Sequence, residues 1–149
     1  MFQDTKRHPG VSALDPDTLQ LHAHRTATVA SDLMKGRLCK EDAFTAGMLH
    51  DAGKVILANS APEKLQNILR VSTENSEPMY VTEDEILGTN HAEVGGYLLK
   101  EWGLPYPIIE AVTHHHRPSR AQQTSFDLGG CCARGQRIGQ RVGGKKRRE

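Results

Sequence analysis

Aromatic residues make up only 5% of this 149-residue chain, so its core cannot be built on stacked rings and must be packed from Leu, Ile, Val, Ala and Met. Three cysteines, Cys39 and the adjacent Cys131 and Cys132, are too few and too poorly spaced for a disulfide framework. Neither sign of charge dominates: 19 Lys and Arg against 18 Asp and Glu leave a formal +1. No global field therefore recommends nucleic acid or a membrane surface as a partner. No apolar run approaches the ~20 residues of a membrane span. The amino terminus lacks the charged-then-apolar pattern of a signal peptide, so a cytoplasmic, reducing setting is expected. Alternating strand-type patterns and internal repeats are also missing, which points to an all-α fold.

What remains is a series of punctuated helical patterns. Asp15-Pro16-Asp17 can cap a helix running to Lys35 and stopping at Gly36, with Leu19, Ala23, Ala27, Ala30 and Met34 on one stripe. Lys40-Glu41-Asp42 opens a second, whose Ala43, Phe44, Gly47 and Met48 form a buried face leading to His50. Val55 to Ala58 continues the apolar pattern, Pro62 opens a helix through Leu69, and Ser72 to Pro78 reads as a loop. Thr82-Glu-Asp-Glu85 has the form of a capping box, with Glu85 as a cap, starting a short helix that ends at Gly88. Asn90 caps the next, with Val94, Tyr97, Leu98 and Trp102 as its apolar stripe. Gly103-Leu-Pro105 halts it, and Tyr97 and Trp102 are expected in the core. Pro107 opens a last helix, Ile108 to His116, closed by Pro118.

Histidine is the residue that carries chemistry here. Of eight histidines, only His8 lies outside the helical segments. The strongest signal is His50-Asp51 at the end of Ala46-Gly-Met-Leu-His-Asp-Ala-Gly-Lys54. An imidazole and a carboxylate on adjacent residues can both reach one divalent cation where the backbone turns, and Gly53 is expected to supply that turn. The same pair can instead be a buried hydrogen-bonded couple at a helix end. Neighbours on a helix point about 100° apart, so His114, His115 and His116 cannot all face one site, and His114 is expected to face solvent.

Residues 129–149 break the pattern, with glycine and Lys or Arg crowding out apolar spacing. They read as a disordered basic tail or the product of a shifted reading frame. Without aromatics for stacking, they are not expected to bind nucleic acid.

Met48-Leu-His-Asp-Ala-Gly-Lys54, Glu85-Ile-Leu-Gly-Thr-Asn-His-Ala-Glu-Val-Gly-Gly-Tyr-Leu-Leu99, Trp102-Gly-Leu-Pro105 and Ala111-Val-Thr-His-His-His-Arg-Pro118 together resemble the HD-related output domain (HDOD), a branch of the HD phosphohydrolase superfamily. The resemblance covers about Leu19 to Pro118. It implies a compact all-α bundle of the HD type, here without the family's usual amino-terminal helical half, and a division into residues 1–16 as an extension, 17–128 as the domain and 129–149 as the tail. It further implies a role in bacterial signal transduction, with a sensory domain or signalling protein as partner.

By the same resemblance, His24, His50, Asp51, His91, His115 and His116 form a shell for one or two divalent ions (Fe, Mn, Zn or Mg). His24 is favoured over His22, which is left to the surface. Asp51 and Lys54 are the candidates for catalysis, Lys54 through contact with a phosphate-containing small molecule. Metal-dependent phosphohydrolysis would use cation-acidified water. Two features weigh against it: a last metal-binding Asp of the HD enzymes would fall in the Gly/Arg tail, and Arg117-Pro-Ser-Arg120 stands where cyclic-dinucleotide phosphodiesterases carry Gly-Tyr-Pro. A signalling module with a metal site is the favoured reading, and a phosphohydrolase acting on a phosphodiester or nucleotide is the alternative.

Overall fold

The computed structural model describes residues 15–35 and 39–121, and the expectations for the amino-terminal extension, His8, the Gly36 stop and the tail lie outside them. The described residues form seven α-helices and no strands: α1 Pro16–Leu33, α2 Lys40–Leu49, α3 Ala52–Ser60, α4 Pro62–Asn75, α5 Met79–Leu87, α6 His91–Glu101 and α7 Tyr106–Thr113, followed by a 3-10 turn at Pro118–Arg120. None of them is long and apolar enough to cross a membrane.

Local chemistry accounts for most boundaries. The Asp15 carboxylate accepts from the Thr18 amide, with Pro16 at the first position of α1. Asn90 Oδ1 accepts from the amides of Ala92 and Glu93 at 3.0 and 3.1 Å, which starts α6. Gly88 closes α5 in the left-handed region at φ 73°.

Three expectations need correction. The stretch from Ser72 is not all loop, because α4 continues to Asn75 and ends on a left-handed Ser76. The helix read as starting at Thr82 begins earlier, at Met79 behind Pro78, so Thr82 is fully buried inside its first turn and caps nothing, and Glu85 lies exposed on the helix. The last helix ends at Thr113, which leaves all three consecutive histidines in the turn beyond it.

α1 packs on α2, α2 on α7, α7 on α6 and α6 on α3, while α4 and α5 close the other side. The central cluster is Ala30, Met34, Ala43, Ala46, Leu99, Ile108, Ala111 and Val112. Small side chains bring the helix axes close together. A β-carbon on Gly47 would overlap the Ala27 backbone, and one on Gly53 would collide with the carbonyl oxygen of His91. The aromatic stripe on α6 is reversed from expectation. Tyr97 and Trp102 are 68% and 64% exposed, while the inward face is His91, Ala92, Gly95, Gly96 and Leu99. Close contact of α6 with α3 and α7 leaves no volume for rings on that face.

Candidate metal centre

The corner between α2 and α3 is His50-Asp51 itself. His50 closes α2 in helical conformation, and Asp51 precedes α3 with its carboxylate unused for capping. The chain thus turns at the pair, and Gly53 lies inside α3, where it serves close approach to His91 instead of the expected turn. Both side chains of the pair are buried, His50 completely and Asp51 to 5% exposure.

Around Asp51 the described residues bring five imidazoles and one ammonium. Asp51 Oδ2 lies 2.8 Å from Lys54 Nζ, 3.3 Å from His50 Nε2 and 3.7 Å from His22 Nε2. Asp51 Oδ1 lies 3.4 Å from His91 Nε2, and His91 Nε2 is 2.9 Å from His116 Nε2. The His115 ring packs 4.0 Å from that of His116 and 5.1 Å from that of His50. His50, Asp51, His91, His115 and His116, all expected from the sequence, come together, with Lys54 at the edge.

His24 does not join them. It is exposed on α1, its ring 6.5 Å from that of Phe44, and His22 reaches the cluster in its place, 3.2 Å from His50 Nε2. Two residues of α-helix rotate a side chain by about 200°, so only one of the two can face inward. The buried Ala23, Thr26, Ala27 and Ala30 set the inward face of α1, and His22 borders it. The apolar stripe could not have chosen between them, since His22 and His24 lie about equally far, roughly 100°, on either side of its centre. His114 is half-buried and outside both of the ligand groups described below.

Main-chain acceptors orient the rings. His50 Nδ1–H donates to the Gly47 carbonyl at 2.8 Å, and His115 Nδ1–H to the Val112 carbonyl at 2.7 Å. His91 Nδ1–H donates to Glu83 Oε2 at 2.6 Å. In each case the partner claims Nδ1 and leaves Nε2 available, facing Asp51 at 3.3 Å in His50 and 3.4 Å in His91, the arrangement found where histidines serve as metal ligands. Glu83 was not expected in the site. It lies on another helix, and its place in an apparent capping box concealed it.

Burial determines the charge state. It pushes His22 below its usual value of 6.5 against the pull of Asp51. With the neighbouring His116 it holds His115 well below. Burial and then His91 bring His116 down to about 3. Burial would raise Asp51, but His50 and Lys54 outweigh it and keep the carboxylate ionised, well below its ordinary range. His91 is the exception: burial lowers it, yet the carboxylates of Asp51 and Glu83 beside its ring prevail and raise it.

The arrangement therefore offers largely neutral imidazoles around a buried anion, the donor chemistry that suits a divalent transition metal. Among the described residues, two groups have ligand atoms within 4.8 Å of one another, His22–His50–Asp51 and His91–His115–His116. Asp51 Oδ1 and His115 Nε2 are buried without a hydrogen-bond partner, an expense that a cation bound to each group would remove. A cleft beside His116, lined by Tyr80, Asn90, Arg117 and neighbours, holds about 10 Å³, close to the least volume that one water needs.

Comparison with known proteins agrees with this architecture. The chain is 29% identical over 118 residues to an uncharacterized protein of Treponema pallidum (strain Nichols), covering 76% of this chain and 23% of that protein. A Shewanella amazonensis SB2B structure named for a proposed phosphohydrolase superposes with TM-score 0.78 at 24% identity, over 91% of this chain and 50% of that one. An HDOD domain protein of unknown function from Geobacter sulfurreducens gives TM-score 0.78 at 24% identity, over 83% and 42%. The MmoQ response regulator of Methylococcus capsulatus str. Bath gives 0.70 at 22%, over 91% and 54%. The chain thus spans about a quarter of the curated relative and about half of each solved chain. The HDOD domain model matches residues 1–118, and with the helical bundle and its His-Asp corner this places the chain in the HDOD domain family.

Proposed function

We propose that this domain is a regulatory output module of signal transduction that holds one or two divalent cations, drawn from Fe, Mn, Zn or Mg, between α1, the α2–α3 corner, α6 and the turn after α7. One observation carries the reading: ring nitrogens fixed by Gly47, Val112 and Glu83 converge with Asp51, leaving Asp51 Oδ1 and His115 Nε2 as buried orphans. His22, His50 and Asp51 would hold one ion, and His91, His115 and His116 a second. A bound cation would supply charge neutralisation and Lewis acidity toward a phosphate.

The position of Lys54 favours binding over turnover. Lys54, the expected phosphate contact, is held on Asp51. The partner in this reading is a sensory domain or another signalling protein whose state is coupled to ion occupancy.

Phosphohydrolysis is the second reading, favoured by Lys54, whose ammonium would be freed to meet a phosphate if a cation took its place on Asp51. The deciding experiment is elemental analysis of purified protein alongside hydrolysis of bis-p-nitrophenyl phosphate, with His50→Ala and Asp51→Ala as references. Near-stoichiometric metal, lost in both variants and without turnover, is expected. Metal content unchanged in both variants would dismiss the site, and turnover lost in both would establish the hydrolase.

A further inference from the structure

Glu83 has no exposed surface, and of its two buried carboxylate oxygens Oε2 is matched by donors while Oε1 has no hydrogen-bond partner. Both of its donors come from one residue. Glu83 Oε2 accepts from the His91 backbone amide at 2.8 Å and from His91 Nδ1–H at 2.6 Å. The amide is one of the first-turn donors of α6 that its own helix cannot use. Asn90 serves Ala92 and Glu93, and Glu83 completes the set at His91. The same oxygen therefore fixes the backbone and the ring of His91 together.

The next residue repeats the arrangement on the neighbouring turn. Asp84 Oδ1 accepts from Asn90 Nδ2 at 2.7 Å, and Asp84 Oδ2 from Arg117 Nη2 at 2.6 Å. Arg117 follows His116, and its guanidinium lies 5.3 Å from the centre of the Tyr80 ring. The other contact of Tyr80 is a stack on His116, with centroids 4.3 Å apart and planes inclined by 14°. Tyr80, Glu83 and Asp84 stand at i, i+3 and i+4 of α5, so they share one face of that helix.

We propose that Glu83 is a positioning residue for His91, and that α5 acts as a template that fixes His91 through Glu83 and His116 through Asp84 and Tyr80. The proposal rests on the reading of the histidine cluster as a cation site. A carboxylate on Nδ1–H excludes the other tautomer and increases electron density at Nε2, the atom facing Asp51 and His116. Charge placed here acts on ligand strength without touching the ion.

The test uses two readouts. In chelator-treated protein, 15N-edited NMR of the histidine rings is expected to show His91 protonated at Nδ1 with that proton protected, in wild type and in Glu83→Gln, and the protection lost in Glu83→Met. In Co²⁺ titrations, affinity is expected to fall by about 10-fold in Glu83→Gln and about 100-fold in Glu83→Met, the range that loss of an outer partner produces. Asp84→Asn is expected to weaken Co²⁺ binding while leaving the His91 Nδ1–H signal in place, which a general loss of packing would not do. If Glu83→Met fails to fold, the isosteric Glu83→Gln carries the test through its affinity loss.

A His91 signal insensitive to Glu83, or wild-type affinity in Glu83→Gln, would overturn the positioning role. Wild-type protein that binds no Co²⁺ while its His91 signal still depends on Glu83 would overturn the cation reading and uphold the positioning.

Discussion

His22 Nε2 lies 3.2 Å from His50 Nε2, and His50 has already committed its Nδ1 proton to the Gly47 carbonyl. Two bare lone pairs at that separation repel, so a proton on His22 or a cation must stand between them. The contact crosses from α1 to the end of α2, and it makes His22 the amino-terminal member of the cluster.

His22→Ala should therefore lower affinity for Co²⁺ or Mn²⁺ by at least the ~10–100-fold that loss of an outer partner costs. His24→Ala, on the exposed side of α1, should leave affinity within error. Isothermal titration of both variants decides the matter. A reversed pattern would restore the position favoured from sequence.

The metal-free protein should lose stability as pH falls below about 6.5. His22, His115 and His116 have folded values below 6.5, His116 down to about 3. Between the two values the unfolded chain binds more protons, so stability rises with pH across that window and drops through it on acidification. Asp51, held well below 3.8, adds a further loss in stronger acid. His91 runs the other way: its contribution is complete below 6.5 and fades as pH climbs through its raised value. Denaturant midpoints with chelator at about pH 7.5, 6 and 5 should decrease in that order. A flat profile would contradict the burial of neutral imidazoles.

Metal affinity should rise with pH over the range where His91 gives up its proton, because a ligand nitrogen must be bare. Calorimetry in two buffers of different ionisation enthalpy should register proton release on binding near neutrality. Absence of release would mean that His91 is not a ligand.

Gly53→Ala should destabilise by about 3 kcal/mol or more, above the usual 1–3 for overpacking, because the added carbon meets backbone and not a movable side chain. Ion binding should fall with it, since Asp51 and His91 are held by that contact. By contrast Trp102→Ser and Tyr97→Ser, both well exposed, should stay within about 0.5 kcal/mol of wild type. Thermal melts of the three variants separate these cases.

The sequence made much of this legible through local chemistry. Asn90, Gly88, Pro16 and Pro62 mark helix ends through capping and fixed φ, effects confined to one turn, and they stand where expected. The His50-Asp51 corner was equally visible. Packing decided the rest. The exposure of Tyr97 and Trp102 follows from two tight neighbours of α6, which only tertiary structure supplies. Glu83 was hidden because a capping box and a buried orienting carboxylate are the same letters in sequence. The choice between His22 and His24 was not legible, because the two flank the α1 stripe at about equal angles and only the packing of α1 on α2 decides which one enters.

The backbone contact between Gly53 and His91 has one more implication. Since main chain meets main chain there, the distance across the middle of the cluster is fixed by two helix axes and offers no rotamer to adjust. Attempts to retune ion preference would therefore do better to vary His22 and His116, which enter from the periphery and retain partial solvent access, than to reshape the interior.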